Sequence, residues 1–258
     1  MSPGGRFGGS LTGIGLAIGT GVTMIVALYM MFLYAPQDSM QGPVQRVFYL
    51  HLPMAWIAYL AFFIVFVASI AYLVKRNRRW DQIARSSAEV GLVFTTLVII
   101  TGSLWGRPIW GTFWEWDARL TTTLILWFIY LGYFMIRAYI SDQERAMRYA
   151  AVVGIIGFID VPIIHMSVRW WRTLHPEPIV TQSGGPAMPD SMIYTLSVSM
   201  LAFTLFFFYL VYQKMLIEQA KDELADYSLA MADAEADART NQAIQQHADE
   251  KSTKGVTA

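Results

Sequence analysis

Residues 51–85 read HLPMAWIAYLAFFIVFVASIAYLVKRNRRWDQIAR. From 51 to 74 there is no Asp, Glu, Lys or Arg, and about 20 such residues in a helix cross a hydrocarbon core of roughly 30 Å. The run then meets Lys75, Arg76, Arg78, Arg79 and Arg85. Clustered cations in a short loop mark the side of a membrane that is not translocated, so this stretch predicts both a span and its direction. Working outward, five further apolar blocks are bounded by charges or by Pro, Gly and Asp, at 13–34, 86–104, 121–140, 149–168 and 192–213. They are continuously apolar, without the alternation of a transmembrane barrel strand, so helices are expected. The first block follows Ser, Gly and Arg6 and lacks a small-residue cleavage pattern, so it is expected to be retained.

The expected fold is therefore all-α and polytopic, with six transmembrane helices and both termini cytoplasmic. Arg6, the 75–85 cluster, Arg137, Arg145 and Arg148 fall on one face; Arg46, Arg107, Arg119, Arg169 and Arg172 fall on the other. Loops near 35–50, 105–120 and 169–191 are expected to face outward. Composition agrees: of 258 residues 55% are hydrophobic and 15% charged, against roughly 25% charged in a soluble domain. The formal net charge of zero is a cancellation between a basic body, residues 1–213, and an acidic tail, residues 214–258. This tail is expected to be a cytoplasmic extension, helical in its first half with an irregular apolar face and disordered at its end. It is read as a solvated segment, with a docking helix for a partner as the other possibility. No internal repeat or sustained heptad is evident.

With no cysteine, disulfides, thiolate catalysis and thiolate metal sites are excluded. Neither a phosphate-binding loop, a zincin helix, a hydrolase elbow nor a dinucleotide fingerprint is present. Any nucleotide-driven step would need another subunit, and the charge distribution gives no nucleic-acid footprint.

The unusual residues concentrate on the outward face. Residues 104–121, LWGRPIWGTFWEWDARLT, hold Trp105, Trp110, Trp114 and Trp116, four of the nine tryptophans. One tryptophan at a membrane boundary is an ordinary anchor. Four interleaved with Gly106, Pro108 and Gly111 also suit a shelf for a flat apolar ligand. Asp117 is placed to cap the fourth helix. Arg119, at the unfavourable end for a cation, is a candidate partner of Asp117 or of a ligand carboxylate. His51 opens the second span and His175 follows the fifth, so each is either an iron ligand or an interfacial hydrogen-bonding group; His247, in the polar tail, has no expected role. Within the fifth span, Asp160 and His165 are expected to serve internal helix–helix hydrogen bonding, with a relay as the alternative. Glu89 is expected to pair with Arg85 one turn earlier.

The string WGRPIWGTFWEWDARLT, with HLPMAW before it and VRWWRTLHPEP after it, closely resembles the tryptophan-rich signature of the heme-handling membrane proteins of cytochrome c maturation, in particular the heme exporter protein C family. The resemblance covers about residues 11–213. It implies heme, bound transiently as cargo, on a platform of Trp105, Trp110, Phe113, Trp114, Trp116 and Asp117, with His51 and His175 as the axial ligands of its iron. Phe113 stands where the family usually has tryptophan, and Glu115 where an apolar residue is common; Glu115 is expected to turn toward solvent. Arg119, and Arg46 or Arg172, are candidates for the propionates on charge and side alone. The family further implies an inner-membrane location with a periplasmic heme site. The implied partners are a membrane-anchored periplasmic heme chaperone, the membrane and ATP-binding subunits of an ABC transporter, and a small single-span accessory subunit. The implied role is delivery of heme with little bond chemistry, assistance in covalent attachment being left open. Two other readings stand beside it: a b-type redox subunit, and a structural ABC transporter subunit that does not bind heme.

Overall fold

The computed structural model describes residues 11–171, 173–175 and 188–255. Arg6, Arg172 and the side chain of His247 lie outside the described residues. Six long helices follow in chain order: α1 (Leu11–Tyr29), α2 (Phe48–Lys75), α3 (Arg78–Trp110), α4 (Ala118–Tyr139), α5 (Gln143–Trp170) and α6 (Asp190–Gly255). All six contain stretches long and apolar enough to cross a membrane, so the chain is an all-α polytopic membrane protein. A π-helical turn, Met30–Tyr34, extends α1, and a short 3₁₀ turn, Pro43–Val47, leads into α2. The chain forms two compact units, Met1–Met215 and Leu216–Ala258.

The helix ends follow from local chemistry more than from hydropathy. Arg76 adopts the left-handed conformation at φ 53°, and the Asn77 side chain accepts from the Arg79 N–H at 2.9 Å. That cap starts α3 about two turns before its apolar block. At its far end α3 continues through Trp105 to Trp110 and stops where Gly111, at φ +82°, donates its N–H to the Arg107 carbonyl at 3.0 Å. Only a residue that tolerates positive φ closes a helix this way. The first half of the tryptophan-rich stretch is therefore helix, and only residues 111–117 form a non-helical connection.

The body is organised around α2, which packs on both α3 and α5. Phe62 of α2 stacks on Tyr130 of α4 at 3.8 Å between ring centroids, with Ala84 and Ala88 of α3 and Ala150 of α5 buried around them. Two glycines set the spacing: a Cβ on Gly91 would come within 2.8 Å of Ala61 Cβ, and one on Gly154 within 2.9 Å of Val65 Cγ1. In lipid, where tails are as apolar as leucine, such close backbone approach is a main source of helix–helix attraction. α6 contributes Phe203, Phe207 and Val211, which share a buried cluster with Ile57 and Phe94, and Ala202 is buried beside them in sequence. α1 is the least covered, with Ile14, Ile18 and Ile25 exposed.

Charges at the end where α3 begins and α4 ends are matched to one another. Arg137 donates to both carboxylate oxygens of Asp81 and lies over the Tyr133 ring at 4.9 Å. Glu89 pairs with Lys214 of α6 at 2.7 Å, so the expected i,i+4 pairing with Arg85 is replaced by a tertiary one. In the second unit Ile217, Leu224, Tyr227 and Met231 are exposed. Their spacing puts them on one flank, and the helix runs through the stretch where composition predicts loss of structure.

Candidate functional site

Four segments meet at the opposite end of the bundle: the start of α2, the last turns of α3, the start of α4 and the chain leaving α5. His51, in the first turn of α2, places its Nδ1 2.9 Å from Thr101 Oγ1 of α3. Its ring lies against the α3 backbone, because a Cβ on Gly102 would come within 3.0 Å of His51 Cε1. Trp105 meets the imidazole edge-on at 5.8 Å between centroids. That indole is fixed by its N–H to Gln41 Oε1 at 3.1 Å and by the edge of Phe48.

His175 is held from α4. Arg119 places one guanidinium nitrogen 3.1 Å from His175 Nδ1 and donates from another to the His165 carbonyl at 3.2 Å. Trp110 lies 6.3 Å from the His175 ring. Asp117 caps α4 by accepting the Leu120 N–H on one oxygen at 2.8 Å. Its other oxygen accepts the Thr173 hydroxyl at 2.5 Å, and the same Thr173 oxygen accepts the His175 N–H at 2.9 Å. The cap thus also fastens the segment that carries the second histidine. Among the described residues Arg119 lies within electrostatic range of Asp117 but makes no hydrogen bond to it; its hydrogen bonds go to a histidine and a carbonyl instead. His51 lies within electrostatic range of both His175 and Arg119, so residues 124 positions apart in sequence share one neighbourhood.

The connection between α3 and α4 carries the remaining aromatics. Trp114 and Trp116 pack edge to face at 5.5 Å, and Trp116 is 74% exposed. Phe113 lies under the Arg107 guanidinium at 5.4 Å and is also exposed. Glu115 is exposed, as expected. Two buried donors here have no partner among the described residues: the Trp114 indole nitrogen and Arg119 Nε. Each such orphan carries a desolvation cost of about 1–3 kcal/mol, which a bound acceptor would relieve.

Other candidates fall elsewhere. The side chain of His165 is exposed on α5, and only its carbonyl takes part in the site, so it does not join Asp160 in an internal hydrogen bond. Asp160 has one buried oxygen without a partner and lies within electrostatic range of Tyr59, which also senses Arg119. Arg46 stacks on Phe32 at 5.9 Å. Thr101, Gly102 and Thr173 carry no signal in the sequence as single residues, since threonine and glycine are ordinary in spans; their roles emerge only from contacts.

Two imidazoles, an under-used guanidinium and an exposed aromatic turn can coordinate a metal, meet an anion and cover a flat apolar face. A family model described as heme exporter protein C matches residues 9–229. The chain is 43% identical over 192 residues to heme exporter protein C of Bradyrhizobium diazoefficiens, covering 74% of this chain and 73% of the relative. It is 38% identical over 182 residues to the protein of that name in Escherichia coli K12, 70% and 74% of the two chains. With the Haemophilus influenzae protein identity is 33% over 190 residues, 74% and 77% of the two. The matched region takes in every helix of the first unit and all of the residues gathered around His51 and His175, and on that ground the chain belongs to the heme exporter protein C family.

Proposed function

We propose that the chain binds heme, as cargo, at the end of the bundle bearing His51 and His175, and delivers it to a membrane-anchored periplasmic heme chaperone during c-type cytochrome biogenesis. The observation that carries this reading is the gathering of both histidines, Trp105, Trp110 and Arg119 from four separate segments into one neighbourhood. Heme needs imidazole for its iron, an apolar wall for its face and cationic partners for its carboxylates. His51 and His175 are the axial ligands in this reading. Trp105 and Trp110 flank them, Phe113, Trp114 and Trp116 extend the wall, Asp117 fastens the His175 segment, and Arg119 takes a propionate. The orphaned Arg119 Nε and Trp114 indole N–H fit a site whose acceptors arrive with the cargo. The name borne by the relatives points the same way.

The basic cluster after α2 supports an orientation with both termini cytoplasmic and the heme end periplasmic, in the inner membrane. The body of residues 1–213 then handles heme, and the acidic tail from 214 is a cytoplasmic extension. No nucleotide motif exists in the chain, so energy for release of the loaded chaperone would come from ABC transporter membrane and ATP-binding subunits, with a small single-span accessory subunit completing the assembly. The redox alternative loses ground because His165, the candidate ligand in mid-span, has an exposed side chain.

The test is copurification with the chaperone followed by optical spectroscopy. Wild type is expected to give a six-coordinate low-spin heme spectrum, and His51→Ala and His175→Ala to lose it while remaining in the membrane. Unchanged spectra in both variants would sink the ligand assignment. A wild type without any Soret absorbance would favour a purely structural subunit.

A further inference from the structure

The two imidazoles sit in opposite hydrogen-bonding environments. A guanidinium can only donate, so His175 Nδ1, 3.1 Å from Arg119, must offer it a lone pair. A neutral His175 then carries its proton on Nε2. At His51 the roles reverse. The Thr101 hydroxyl lies 2.7 Å from the Leu97 carbonyl, nearer than to His51 Nδ1 at 2.9 Å, and a carbonyl can only accept, which favours the helix as taker of its one hydrogen. With the hydrogen there, Thr101 accepts from His51 Nδ1, and a neutral His51 carries its proton on that nitrogen. The lone pair is then on Nε2. The hydrogen bond made by one ring nitrogen decides which nitrogen can bind metal.

Resting on the heme reading above, we propose that in the empty protein Thr101 holds His51 in the iron-ligating tautomer while Arg119 holds His175 in the non-ligating one, so that the rings engage iron in order, His51 first. For His175 to follow, the proton on Nε2 leaves as one is taken up at Nδ1, the iron–Nε2 bond forms, and the ring is neutral before and after. An N–H on Nδ1 no longer accepts from Arg119, so the guanidinium must move off. A carboxylate of the cargo is a fitting acceptor for it, since its Nε already lacks a partner. Closure of the second iron bond is thereby tied to capture of a carboxylate, and a porphyrin without carboxylates leaves His175 latched. Thr101 is a positioning residue, acting on iron only through His51.

The test uses the heme-free full chain in detergent with ¹⁵N-labelled histidine rings, signals being assigned by their loss in His51→Gln and His175→Gln. The expected spectra show His51 protonated on Nδ1 and His175 on Nε2. Thr101→Val is expected to move the His51 proton toward Nε2 and to weaken hemin binding about 10- to 100-fold, whereas Thr101→Ser keeps both properties. Either ring in the other tautomer, or a Thr101→Val protein with His51 unmoved, overturns the proposal. Wild type that binds no hemin would instead break the heme reading, and spectra of the heme-free protein tell the two failures apart.

Discussion

Where α3 begins and α4 ends, charge is used against charge: Asp81 takes both arms of Arg137, Glu144 takes Arg148, and Asp142 takes Arg145. At the other end Arg119 meets an imidazole and a carbonyl, and its Nε has no partner among the described residues. Both ends bury a guanidinium Nε without a partner among the described residues, at Arg137 and at Arg119. The difference lies in the other arms: those of Arg137 meet a carboxylate, whereas those of Arg119 meet only an imidazole and a carbonyl. A cation matched to a carboxylate describes a clamp; a buried cation hydrogen-bonded to no carboxylate is one that an anion would suit.

The largest effect that would break this contrast is expected at the clamp. Arg137→Ala leaves Asp81, whose side chain is 9% exposed, without its cation, and is expected to lower stability by about 3–5 kcal/mol. Thermal unfolding in detergent measures this, while the folded fraction keeps the hemin spectrum of wild type. Replacing both partners with leucine is expected to recover most of the loss, because a buried pair roughly balances its own desolvation. If Arg137→Ala were nearly neutral in stability, the clamp description would fail.

Asp117→Ala sharpens the contrast from the other side. Losing the cap of α4 is expected to cost about 1 kcal/mol, yet the variant also releases Thr173 and with it the His175 segment. Hemin affinity should fall by more than the change in stability accounts for, and Asp117→Asn, which can still accept from Leu120, should recover the stability before the affinity. The smallest effect belongs to Arg148→Ala. Both partners of that pair are well exposed, at 44% and 65%, and its removal is expected to shift stability by no more than about 0.5 kcal/mol with hemin binding unchanged.

The six helices were legible because spanning a bilayer leaves a long, uncharged record in the sequence. Helix ends were less so, since hydropathy reports the lipid-facing length and not the caps: Asn77 and Gly111 carry α3 beyond its apolar block at both ends. The ligand candidates and the tryptophans were legible by residue type. Their wiring was not. Glu89 has both Arg85 one turn away and Lys214 far along the chain, and only packing selects the latter. Thr101 reads as one more hydroxyl returned to its own helix, which it is; its second contact, to His51, belongs to the meeting of α2 and α3.

The bare backbone at Gly102 has a consequence in entropy. Because a Cβ there would stand within 3.0 Å of His51 Cε1, the imidazole rests on α3 itself and has few orientations left to lose. Ordering a side chain on binding costs about 0.5–1.5 kcal/mol, and about 1.4 kcal/mol is a factor of ten in affinity. Folding has already met that cost for His51, so if this ring is the first to meet iron, as proposed above, a missing methyl group makes that encounter up to about tenfold tighter than a freely turning ring would allow.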